Sequence, residues 1–151
     1  MEKHALVERI TATLQRDLDA AYKAALESAE DATDEESRPE NKYDTRALEA
    51  SYVASAQAGY AKDLTAALQA YRNLDLGAAP QGGPAAIGSL VTTLGSSGRE
   101  QFFIGPAHGG LEIETETGPV TVLTPKSLLG SQLIGKGLGG SAGDRRILRV
   151  E

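Results

Sequence analysis

The chain of 151 residues sets 15 Lys and Arg against 21 Asp and Glu, a formal net charge of −6, which argues against tight autonomous binding to nucleic acid because that depends on neutralising phosphates. Cysteine is absent and the two histidines, His4 and His108, lie far apart in sequence, which excludes disulfide scaffolds, cysteine-based zinc sites and a local histidine metal motif. No apolar run approaches the ~20 residues of a membrane span, the opening Met1-Glu2-Lys3-His4-Ala5 lacks the basic and apolar regions of a secretory signal, and a soluble, cytoplasmic protein is expected.

Glycine and proline divide the chain. Of 17 glycines only Gly59 falls in the first 76 residues, five of the six prolines follow residue 76, and all five tyrosines precede it. The expected domains are a helical module over 1–76, a linker over 77–84 and a β-rich module over 85–151.

From Lys3 to Ala32, apolar residues recur at Val7, Ile10, Leu14, Leu18, Ala21, Ala25, Ala29 and Ala32, in steps of three and four. This is the spacing of an amphipathic or coiled-coil helix. A second stripe follows from Thr45 to Leu74, through Ala47, Ala50, Ala54, Ala58, Ala61, Leu64 and Leu68. The first stripe runs from leucine to alanine and the second from alanine to leucine. Antiparallel pairing sets alanine against alanine at one end and leucine against leucine at the other, so an antiparallel hairpin is expected. A three- or four-helix bundle is the alternative. Gly59, costly by about 1 kcal/mol inside a helix, marks close packing or a slight bend.

Between the two stripes lie residues 31–44, with six carboxylates, two cations and Pro39, which cannot continue a helix. They form the expected acidic tip of the hairpin. Taken alone, Asp34, Glu35, Glu36 and Glu40 also fit solvated charges on an exposed turn, and Tyr43 fits packing under it.

Gly77–Pro84 reads as punctuation. Strands are expected over Ile87–Leu94 and Gln101–Ile104, flanking the turn Gly95-Ser96-Ser97-Gly98, then over Leu111–Glu116, Val120–Leu123 and Arg145–Val150. Ser127–Ile134 has the spacing of two helical turns. The second module is therefore a small antiparallel sheet with one short helix, and the whole chain is α+β. Arg145, Arg146 and Arg149 fit edge-strand cations, with RNA or a protein partner as the other reading.

Three motif matches in the glycine-rich stretch are rejected. Gly130–Gly137 lacks the Ser/Thr that closes a P-loop and opens no long helix. Gly135, Gly137 and Gly140 match a dinucleotide fingerprint without a surrounding βαβ unit. Gly139–Gly143 matches a nucleophile elbow with neither a following helix nor a downstream histidine.

Three segments resemble the Gre family of bacterial transcript cleavage factors (GreA and GreB), and the resemblance spans nearly the whole chain. Glu40-Asn41 is similar to the Glu-Asn of the family's tip motif Asp-x-x-Glu-Asn. Gly88-Ser89-Leu90-Val91 is similar to the Gly-(Ser/Ala)-x-Val that opens its C-terminal domain. Ser127–Lys136 resembles Ser-Pro-(Leu/Ile)-x-x-x-Leu-(Leu/Ile)-Gly-Lys. Ser37 stands where the tip motif has aspartate, and Leu128 where the third motif has proline.

The resemblance implies an N-terminal coiled-coil hairpin followed by an FKBP-like domain. It implies a transcription elongation factor, with no active site of its own, that binds bacterial RNA polymerase and inserts its tip into the secondary channel. There it stimulates Mg²⁺-dependent cleavage of backtracked RNA by the polymerase. Glu40, with Glu36 or Asp34 in place of the missing aspartate, would share the Mg²⁺ with polymerase, and no cofactor would be held by the protein alone. Glu35, Asn41 and Tyr43 complete the tip, and Ser127, Leu128 and Lys136 would dock the C-terminal domain. A monomer without membrane contact is implied, meeting nascent RNA indirectly and lying near DNA and RNA in the complex. Two other classes remain: a channel-binding regulator without cleavage stimulation, and a coiled-coil protein unrelated to transcription.

Overall fold

The computed structural model describes residues 2–33 and 46–151. The architecture is α+β, a helix pair followed by a six-stranded sheet and one short helix. Helix α1 spans Lys3–Thr33 and α2 spans Arg46–Arg72. At 1.5 Å per residue the longer one extends about 46 Å. The chain divides into two compact units, one of residues 13–68 and one joining residues 1–12 to 69–151. The first turns of α1 and the last residues of α2 thus belong with the sheet.

In the helical unit, Leu14, Leu18 and Ala21 of α1 are buried, as are Ala61, Leu64, Ala67 and Leu68 of α2. The apolar stripe is therefore real, with two shifts. At the start of α1, Leu6 rather than Val7 is buried. The two neighbours point about 100° apart, and both fit steps of three and four. On α2, Ala58 is exposed. Around Gly59, no described atom lies within 4 Å of where a Cβ would sit, so close packing does not account for this glycine.

The sheet comprises β1 (Leu90–Gly95), β2 (Gly98–Ile104), β3 (Glu112–Thr115), β4 (Gly118–Leu123), β5 (Ser141–Ala142) and β6 (Arg145–Val150), in the order β3-β4-β2-β1-β6-β5. The expected Gly95–Gly98 turn closes the β1–β2 hairpin, with Gly98 at φ 92°, open to glycine without strain. The sheet is mixed rather than antiparallel, because β2 and β4 run parallel. The strand that follows β2 does not pair with it. Residues 105–111 carry the chain one position further out, β3 takes the edge, and β4 returns between them. Burial explains the choice: β4 contributes Val120 and Val122, both fully buried, whereas β3 alternates exposed Glu112 and Glu114 with buried Ile113. Charged residues belong on an edge strand.

Helix α3 (Leu128–Leu133) covers one sheet face. Leu133 joins Val91, Phe102, Ile104, Ile147 and Val150 in a continuous core, with Leu129 and Ile134 packed against it. The opposite face carries Leu90, Phe103 and Val122, also buried. The base of the helix pair covers that end of it. Leu6 and Ile10 are fully buried there, Arg9 donates to the Glu114 carbonyl, and Lys3 Nζ donates to the Ala79 carbonyl at 2.9 Å. Tyr71, near the end of α2, is 2% exposed and donates through its hydroxyl to the Ala107 carbonyl at 2.9 Å. Burial pushes the Tyr71 phenol above its ordinary range. Gly105 makes room for this ring: a Cβ there would lie 2.9 Å from Tyr71 Cζ and closer still to its oxygen.

Two outcomes test this reading. Gly105→Ala should destabilise by about 1–3 kcal/mol through overpacking, and Tyr71→Leu in the same chain should recover part of the loss. A Gly105→Ala midpoint in urea equal to wild type refutes the close approach. Gly59→Ala, where space is open, should instead stabilise by roughly 1 kcal/mol, read as a higher melting temperature.

Candidate functional site

The candidate tip residues Asp34, Glu35, Glu36, Glu40, Asn41 and Tyr43, together with Ser37, lie outside the described residues. Thr33 ends α1 before them and Arg46 opens α2 after them. Among the described residues no group of three or more Asp, Glu, His or Cys side chains could hold a metal ion. As a donor set, the tip carboxylates suit Mg²⁺, a hard cation that takes few protein oxygens and keeps several waters.

The C-terminal candidates surround α3. Ser127 is its N-cap: the hydroxyl accepts from the Gly130 N–H at 3.1 Å and donates to the Thr124 carbonyl at 2.8 Å. That satisfies a helix-start amide and fixes the entry turn. Gly130 has no room for a side chain, since a Cβ would overlap the Thr124 carbonyl and come within 2.6 Å of Ser127 Oγ. Both residues are therefore explained by folding. Leu128, the first residue of α3, is 78% exposed, as the first turn of a helix lying on a sheet permits. Lys136 donates to the Ser141 carbonyl, which ties the turn after α3 to β5.

The Gly88–Val91 segment has the same character. Gly88 sits at φ 98°, buried against Ala79 and Leu76. Ser89 is fully buried, its hydroxyl accepting from the Ala86 N–H at 3.0 Å. These residue types hold the chain as it enters β1. Of the candidates among the described residues, Leu128 alone presents a large free surface.

Several exposed apolar residues escaped the sequence reading, among them Tyr22, Leu26 and Leu138. Leu138, two positions beyond Lys136, is 74% exposed. Its only signal is an apolar side chain inside Gly137-Leu138-Gly139-Gly140. Asp144 accepts from both the N–H and the hydroxyl of Ser96, which lowers its carboxyl pKa and ties the β5–β6 turn to the β1–β2 turn. No helix among the described residues is long and apolar enough to cross a membrane.

Several solved structures are similar to this chain, two of them Gfh1 proteins. One is the GreA factor homolog 1 (Gfh1) protein of Thermus thermophilus, 18% identical, with 97% of this chain and 93% of that one covered and a TM-score of 0.34. The other is Thermus aquaticus Gfh1, 16% identical, with 93% and 92% covered and a TM-score of 0.34. No family model matches, and no curated protein does.

Ser127→Ala should cost about 1 kcal/mol through loss of the cap, whereas Leu128→Ser, at an exposed position, should stay within about 0.5 kcal/mol of wild type. Urea unfolding of the full chain measures both, and equal costs refute the division between a folding serine and a free leucine.

Proposed function

We propose that this protein is a Gre-like factor that binds bacterial RNA polymerase, carries its acidic tip into the secondary channel and stimulates cleavage of backtracked RNA by the polymerase's own active centre. One observation carries the reading: two helices of 31 and 27 residues flank an acidic segment that contains Glu40-Asn41, ahead of a domain that contains Ser127–Lys136. Long helices can deliver a short charged segment to a deep site. In this reading the protein has no catalytic centre, and its residues hold and orient.

Glu40, with Glu36 or Asp34, would contribute oxygen ligands to Mg²⁺ shared with polymerase. Metal bound there would neutralise charge and lower the pKa of an attacking water. Asn41, Glu35 and Tyr43 would shape the tip. Leu128 and Lys136 would meet polymerase on the surface of the β-rich domain, while Ser127 holds the helix that presents them. The protein would act as a monomer in the cytoplasm, near the nucleic acids of the complex but with polymerase as its partner.

Ser37 favours a second reading. It stands where the tip motif has a carboxylate, and a chain lacking that ligand could occupy the channel without stimulating cleavage. An unrelated coiled-coil role is a third, and failure to retain core polymerase in a pull-down would establish it over the first two.

Cleavage assays on stalled elongation complexes separate the first two readings. Glu40→Gln should retain polymerase binding and lose stimulation, because shape is kept while the charge that Mg²⁺ requires is removed. Asp34→Asn and Glu36→Gln should show which of the two replaces the missing ligand. Ser37→Asp should raise activity, most clearly at low Mg²⁺. Inactive wild type with an active Ser37→Asp establishes the channel-binding regulator, and Glu40→Gln that cleaves like wild type ends the metal-ligand reading.

A further inference from the structure

The helix base leaves one end of its sheet face open, and three arginines gather there. The register places Leu94 of β1 between Arg99 of β2 and Arg146 of β6, and Thr92 between Gln101 and Arg149. Partners across adjacent strands share a face, as do residues two apart along one strand. A bulge between Thr92 and Thr93 lets Arg146 and Arg149, three apart, both keep to that face. The result is two rows of three: Arg99, Leu94, Arg146, then Gln101, Thr92, Arg149. A groove of about 290 Å³ lies along the second row, lined by Thr92, Arg99, Gln101, Thr117, Arg149 and the carboxylate Glu151, with Leu94 and Arg146 outside it. All three arginines are exposed, and Leu94 is 49% exposed at the centre of its row.

The edge-strand account does not cover the whole cluster. Arg146 is paired on both sides, to Leu94 of β1 and Ser141 of β5, whereas Arg99 and Arg149 have a strand partner only in β1. Nor does mutual pairing account for the cluster. The ion pair on this face joins Arg149 to Glu151 at 3.0 Å, with Arg149 still 55% exposed. Arg145, by contrast, points to the other face, where it pairs with Glu100 at 3.0 Å and lies over the Phe102 ring. A chain of net charge −6 thus concentrates three guanidinium groups on one grooved, partly apolar surface.

We infer that this open end of the sheet binds single-stranded RNA, the arginines engaging successive phosphates and Leu94 meeting a base. The cations are all arginine, whose planar group pairs with phosphate in bidentate fashion and stacks on bases. Single-stranded RNA can splay its bases onto such a face, and RNA is read largely in that form. Gln101 supplies an amide that is held by Thr117 at 3.2 Å. The site needs no polymerase, so it stands or falls separately from the proposed function.

Fluorescence anisotropy of the full chain with a labelled oligouridylate of about twelve nucleotides tests it. Three phosphate contacts predict a slope of log affinity against log salt of about −2, each contributing roughly −0.7. Arg99→Gln with Arg146→Gln and Arg149→Gln should weaken binding about tenfold or more and flatten the slope. A control with the same loss of charge, Lys23→Gln with Lys62→Gln and Lys126→Gln at exposed positions, should bind like wild type. Single Arg146→Lys should recover charge but not full affinity. No binding by wild type at low salt overturns the inference, as does equal loss in the lysine control. So does an arginine variant whose only defect, by sedimentation, is loss of self-association, since residues 31–44 of a second copy are also anionic.

Discussion

The fit of Tyr71 beside Gly105 is the contact on which the β-rich unit depends. A bulky phenol is almost fully buried at the end of a long helix, against a backbone position that admits no side chain. Its hydroxyl must then find a partner, because an unpaired buried polar group costs about 1–3 kcal/mol. The Ala107 carbonyl supplies one. With Arg9 and Lys3 bonded to the Glu114 and Ala79 carbonyls, the helix base becomes part of the cover of the sheet rather than an appendage to it. The first turns of α1 and the end of α2 thus form a platform within the β-rich unit.

That platform also divides the sheet face. Where the helix base lies, Leu90, Phe103 and Val122 are buried; beyond it, Leu94 stays half exposed and the arginines begin. One face thus serves two purposes along the same strands, apolar for cohesion and basic for solvent or a ligand. The mixed topology belongs to the same arrangement. By drawing β4 inward, the sheet buries Val120 and Val122 and leaves the glutamates of β3 at the edge, where Glu112 and Arg99 line one pocket.

Residues suggested by motif and residues left free by the fold coincide only in part. Ser127, Gly130, Gly88 and Ser89 are each accounted for by a cap, a close approach, a left-handed turn or a buried hydroxyl. A short motif repeated in two proteins can therefore record a shared way of folding without recording a shared partner. Leu128 and Leu138 have no such account, and they are the apolar surfaces near α3 that the fold leaves for something else.

The sequence by itself determined the α+β class, the two long helices, the position of α3 and the hairpin turn at Gly95–Gly98. These rest on local patterns, steps of three and four and glycines bounding a turn, whose partners lie within a few residues, whereas Ser127, read from the sequence as a docking residue, proved in the structure to cap α3. The tip carboxylates were legible as composition, and their geometry lies outside the described residues. Only the tertiary structure decided that Leu6 rather than Val7 faces inward, that β4 displaces β3 from the side of β2, that Tyr71 needs Gly105, and that Arg99 joins Arg146 and Arg149 across three strands. Each of these sets together residues that are far apart in the chain or equally compatible with the local period. Strand order, bulge and register choose among them, and those follow from which apolar surfaces the whole chain can bury at once.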